Sequence, residues 1–163
     1  MPVLPDLTNI VLPSIEDLVA IIPFLGFVVL WCGILKLVGK IGPWYQLAQQ
    51  FHAIGEPMGT TYRFQSLRFG MKAKYNGVIT AIVSPRGLYL RPWFMFRIGH
   101  PPILIPWQAV TSLKEGQFIL PYGRLTIGPP VNVEMTIGSR LLDAIQRSSY
   151  WQQRRTRSSN RIE

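Results

Sequence analysis

The sequence predicts a mainly β protein: one transmembrane helix near the N-terminus, then a barrel or sandwich of about seven antiparallel strands capped by a C-terminal helix. Three observations carry that expectation. Residues 18–35 contain no charged side chain, short β-branched and aromatic runs separated by turn residues begin at Thr60, and an amphipathic helical stretch closes the chain. With 163 residues there is room for one compact domain and an anchor. At 48% hydrophobic and 15% charged, the chain is also more apolar than an ordinary soluble domain, where charged residues approach about 25%.

The helix comes first. The run LVAIIPFLGFVVLWCGIL rises about 27 Å as an α-helix, close to the ~30 Å hydrocarbon core of a bilayer. Ser14 is placed to cap its start, and Glu16 and Asp17 suit the positive end of its dipole. No basic leader and no small-residue cleavage site accompany it, which argues against a removable signal peptide. Charge is lopsided: residues 1–35 hold three acidic side chains and no basic one (−3), whereas residues 36–163 hold all 17 basic side chains against five acidic (+12). Because Lys and Arg accumulate on the cytoplasmic flank, the expectation is a single pass in the plasma or inner membrane, N-terminus outside and domain cytoplasmic. The resulting division is 1–14 as an extracytoplasmic segment, 15–38 as the transmembrane helix, 39–59 as an amphipathic linker helix, 60–153 as the β domain and 154–163 as a basic disordered tail. Trp31, Lys36, Lys40, Trp44 and Tyr45 are then candidates for the membrane interface.

In the linker, PWYQLAQQFHAI places Trp44, Leu47, Ala48, Phe51 and Ile54 on one helical face and Gln46, Gln49, Gln50 and His52 on the other. Such a helix lies in the interface or packs on the next domain. From Thr60, strands are expected in TYRFQSLRF, in VITAIVS after an Asn76-Gly77 turn, in LYLRPWF, in ILIPW running into AVTSL, in QFIL, in RLTIG and in VNVEMTI. The last of these alternates, with Val131, Val133, Met135 and Ile137 on one face. Gly138 and Ser139 then open the helix SRLLDAIQRSSYWQQ.

The segments SPRGLYL, ILIPWQAVTSL and VEMTIGSRLLDAI, in that order, resemble the pleckstrin-homology-like superfold, above all its GRAM-type and bacterial membrane-anchored versions, over residues 60–153. The resemblance implies a barrel closed by the terminal helix and places a basic cluster in the first strand-turn-strand unit, where Arg63, Arg68, Lys72 and Lys74 fall. No phosphoinositide motif aligns with them residue by residue. A shared fold of this kind hosts unrelated functions.

Reactive groups are sparse. His52 and His100 are the only histidines, Cys32 is the only cysteine, and no nucleophile-base pair, metal-ligand spacing or phosphate-binding glycine loop stands out. This points away from an enzyme and from a cofactor. RPWFMFR packs Trp93, Phe94, Met95 and Phe96 between Arg91 and Arg97; a core strand with two outward arginines is the plainer reading, and a lipid or partner contact the sharper one. Arg154, Arg155 and Arg157 in the tail add charge that could hold an anionic lipid, a nucleic acid or only water. Nucleic acid ranks low because no recognition motif accompanies the charge. The functional expectation is a non-enzymatic, membrane-tethered interaction module for a protein partner, anionic lipid, or both. The alternative is a structural accessory subunit of a larger membrane complex.

Overall fold

The computed structural model describes residues 14–117 and 119–153, apart from the side chains at 17, 18, 20 and 38–41. The chain divides into two units, Met1–Ile34 and Leu35–Glu163. The first holds most of α1 (Ile15–Ile41), a helix that begins directly after Ser14 and carries Pro23 inside it. Its described apolar side chains, Ile22, Phe24, Phe27 and Val29 among them, are exposed in the chain itself.

The helix therefore forms where the sequence places one, but the membrane-spanning role assigned to it is overturned. Among the described residues, no helix is long and apolar enough to cross a membrane. From Leu35 onward the chain belongs to the β unit, and the Leu35 side chain is buried. The transmembrane assignment is withdrawn on the finding that no described helix is long and apolar enough. The single-pass topology, the outside and cytoplasmic assignments and the plasma or inner membrane location fall with it.

The second unit is a seven-stranded antiparallel sheet, curled into a half-barrel, in the order β4-β3-β2-β1-β7-β6-β5. Its strands are β1 (Thr60–Phe69), β2 (Ala73–Ser84), β3 (Gly87–Pro92), β4 (Ile103–Pro106), β5 (Val110–Gln117), β6 (Pro121–Ile127) and β7 (Val133–Gly138). The concave side is filled by Leu67, Phe69, Ile79, Leu88, Leu90, Ile105, Leu125, Ile127, Met135 and Ile137, all buried. One helix, α3 (Ser139–Arg147), adds Leu141, Leu142 and Ile145 to that core, which is the period of an amphipathic helix laid on a sheet. The predicted C-terminal helix is shorter than expected, because α3 stops at Arg147 and helical residues resume only at 149–153. At the other side, α2 (Pro43–Phe51) starts with Pro43 in its first turn and buries Trp44, Leu47 and Ala48 in the same core. Of the two placements open to this helix, packing on the domain is the one adopted. Trp44 cements it, its indole N–H donating to the Pro101 carbonyl at 2.9 Å.

Three strand boundaries differ from expectation, each for a local reason. Asn76-Gly77 is not the hairpin turn. It lies inside β2, and the turn is made by Gly70 at φ +54 with the Lys72 N–H donating to the Phe69 carbonyl. Of QFIL, Gln117 ends β5, whereas Ile119 and Leu120 are exposed and lie outside any strand before β6 begins at Pro121. The third strand stops at Pro92, where the chain leaves the sheet and coils into a 3-10 turn over Phe94–Phe96. β7 keeps the predicted alternation, with Val133, Met135 and Ile137 inward.

Candidate functional site

The site is assembled where β1 bulges and β3 ends. In β1 the register to β2 slips between Tyr62 and Gln65 and again between Gln65 and Leu67. The bulge flips the strand's parity: Tyr62 packs toward the core, and so do Gln65, Leu67 and Phe69. Phe64 is left at φ +57, a left-handed conformation that a bulky aromatic residue rarely adopts, and its ring is 75% exposed. The Gln65 side chain locks the distortion by donating to the Arg63 carbonyl at 2.8 Å, and the Gly77 N–H opposite donates to Ser66 Oγ at 2.9 Å.

Across β2, Arg91 of β3 pairs in register with Thr80, and Pro92 with Ile79. Beyond Pro92, the Trp93 N–H donates to the Val78 carbonyl at 2.8 Å, so the 3-10 turn hangs from the sheet at a fixed point. The result is a cleft of about 280 Å³ with Ile79, Val78 and Thr80 as its floor. Arg63, Arg91 and Arg97 supply its cationic walls, and Phe64, Trp93 and Phe94 its aromatic rim. Trp93 and Phe94 meet edge to face, 5.0 Å between centroids, and both stand more than half exposed together with a less exposed Met95.

The electrostatics are one-sided. Glu56 pairs with Arg91, and Arg97 is held by a long contact from its Nε to the Pro92 carbonyl at 3.5 Å. Partial burial, and then the neighbouring Arg97 charge, pull the Arg91 guanidinium below its usual value; at that basicity it stays charged. Tyr89 of β3, packed with Ala53 and Ile82, is pushed up by burial while Arg97 opposes the shift, so its hydroxyl is neutral. Three guanidinia with one carboxylate partner, in a concave site rimmed by exposed aromatic rings, can hold a multivalent anion by paired N–H donors while the rings meet an apolar phase.

No family model, curated protein or solved structure matches this chain.

The candidate residues of the sequence thus separate into groups. Arg63, Arg91, Trp93, Phe94 and Arg97 are brought together in the cleft, and Phe96 sits half-buried at the end of the turn. The plainer reading of RPWFMFR as a core strand fails, because Pro92 has no N–H to continue a ladder and the next residues face outward. Arg68, Lys72 and Lys74 are instead at the far β1–β2 hairpin, exposed, with Arg68 opposite Lys74 in register. Trp31 is partly exposed on α1, Lys36 and Tyr45 are exposed, and Trp44 is fully buried and serves the core rather than a surface. The Lys40 side chain and Arg154, Arg155 and Arg157 lie outside the described residues.

Phe64 and Glu56 belong to the site and were not singled out from the sequence. A signal for Phe64 was present: the apolar positions of TYRFQSLRF fall on even numbers at Tyr62 and Phe64 and on odd numbers at Leu67 and Phe69, and such a parity change requires a bulge. Glu56 gave none, because its pairing with Arg91 depends on tertiary structure.

Proposed function

We propose that the half-barrel is a non-catalytic docking module that engages an anionic lipid surface through the cleft formed by Arg63, Arg91 and Arg97 and rimmed by Phe64, Trp93 and Phe94. The observation that carries this reading is the joining, in one concavity, of three cations with an exposed aromatic rim, one member of which is kept in a costly left-handed conformation. Exposed aromatic rings next to guanidinia suit the headgroup region, where an apolar body and a charged contact are both satisfied. The pleckstrin-homology-like architecture belongs to the same reading and is supported by the seven strands and the terminal helix that covers the concave side.

The test uses the full chain and two vesicle compositions, phosphatidylcholine alone and phosphatidylcholine with phosphatidylserine, at low and high salt. Docking through the cleft predicts preference for the anionic vesicles, loss of that preference at high salt, and its weakening in an Arg63→Gln, Arg97→Gln double variant. Equal binding to both compositions, unchanged in the double variant, would remove the lipid reading and leave a protein partner.

A further inference from the structure

Behind the 93–99 segment lies a side chain that the cleft itself does not use. His100 is 2% exposed, and among the described residues neither of its ring nitrogens has a hydrogen-bond partner. Its imidazole is packed between Trp44 of α2 and Tyr75 of β2, at centroid distances of 6.0 and 5.7 Å. Phe69 of β1 completes this aromatic group through edge contacts with both. The His100 backbone N–H donates to the Arg97 carbonyl at 3.1 Å, closing the turn that carries the rim of the cleft. Next to it, Gly99 adopts φ +85, and a Cβ there would meet the Leu35 carbonyl oxygen at 2.8 Å, so the end of α1 clamps the same turn. The segment is thus pinned at Trp93 by Val78 and at 97–100 by the packing around the imidazole.

A neutral ring tolerates this pocket at the cost of an unpaired donor, whereas an imidazolium would bring a full charge and two donors among aromatic faces. The surrounding side chains do not compensate. Tyr75 of β2 is pushed up to about 12 by burial and stays neutral, and Phe69 of β1 cannot ionise. α2 contains no charged residue, and its Tyr45 is partly open to solvent. Of the charged residues on the adjoining backbone, Arg97 lies in the segment itself, and the Lys36 Cα lies 3.0 Å from where a Gly99 Cβ would sit. Burial holds His100 below the usual histidine value, and the carbonyls of Ile98 and Phe96 offset only part of that.

We infer that His100 is a proton-operated latch on the rim of the cleft: neutral, it fills the aromatic pocket and keeps Trp93, Phe94 and Arg97 in place, and protonated, it leaves the pocket and releases the 93–99 segment. Its consequence for docking rests on the cleft being the docking site, and the latch itself does not. The direction follows from the depressed basicity. The closed form is fully stable above the unfolded histidine value of about 6.5, and that stability is lost as pH falls from there through the lower folded value.

The decisive experiment is an NMR titration of the full chain without vesicles, from about pH 7.5 to about pH 5, following the two histidine rings and the backbone amides of 94–99. The latch predicts a His100 midpoint below about 6.5, with those amides shifting at the same midpoint. In H100F, which fills the pocket without a titratable group, the amide step disappears. An ordinary midpoint, amides that stay still while the ring titrates, or a step surviving in H100F would each overturn the latch. Should H100F fail to fold, the wild-type titration decides alone. Vesicle binding at about pH 7.5 keeps the two ideas apart: the cleft can fail there with the amide step intact, and the step can be missing while anionic vesicles still bind.

Discussion

Two basic regions of the β unit invite comparison, since both are built on β1 and β2 and both carry three cations. At the hairpin, Arg68, Lys72 and Lys74 project into solvent around an exposed Met71, and the Arg68 Nε turns back to the Gly70 carbonyl at 2.9 Å. At the opposite end, Arg63, Arg91 and Arg97 converge on a concavity with a carboxylate partner, a pinned aromatic turn and a strained Phe64. The number of cations is equal; the net charge and the shape are not. A convex cluster bears the full entropy of ordering long side chains on any ligand, whereas the cleft already converges its guanidinia on one concavity, with Arg91 paired to Glu56 and Arg97 in contact with the Pro92 carbonyl.

That contrast yields graded expectations. The largest effect belongs to the Arg63→Gln, Arg97→Gln double variant, which should lose about 2 kcal/mol of partitioning into anionic vesicles, roughly thirtyfold, read by vesicle co-sedimentation. Replacing Trp93 by alanine removes apolar contact instead of charge, and a loss of about 1 to 2 kcal/mol that persists at high salt is expected, measured by the same partitioning. Phe64→Gly separates function from stability: relieving the left-handed strain should raise resistance to chemical denaturation by about 1 kcal/mol while anionic binding weakens. The smallest effect is expected at the hairpin, where Arg68→Gln, Lys72→Gln and Lys74→Gln together should cost less than about 1 kcal/mol. A hairpin variant as damaging as the cleft variant would show that charge alone, not its arrangement, governs binding.

Much of the sheet was legible because its signals are local. The alternation in VNVEMTI fixed the inward face of β7, and the β-branched run VITAIVS marked the core of β2. What was not legible depends on distant partners. Asn76-Gly77 has the composition of a hairpin turn, yet the chain turns at Gly70, and Gly77 supplies a left-handed bulge inside the strand. Trp44 looks like an interfacial aromatic by its neighbours in sequence, and only the fold reveals that α2 needs it as the plug of the core. The apolar run of α1 was read by length alone, whereas Leu35 at its end is spent on the β unit. For the site, sequence supplied five of the side chains through the arginine and aromatic clustering of RPWFMFR and Arg63, but the concavity that unites them arises from a bulge and a strand end brought together by the β1–β2–β3 pairing.

The most direct test places a spin label at each of the two regions in turn, as Met95→Cys and Met71→Cys in a Cys32→Ser background, and compares exposure to an apolar and a polar relaxation agent on anionic vesicles. Docking through the cleft predicts that the label at 95 enters the headgroup region while the label at 71 stays in water. Both labels remaining in water, or the label at 71 entering instead, would contradict the account.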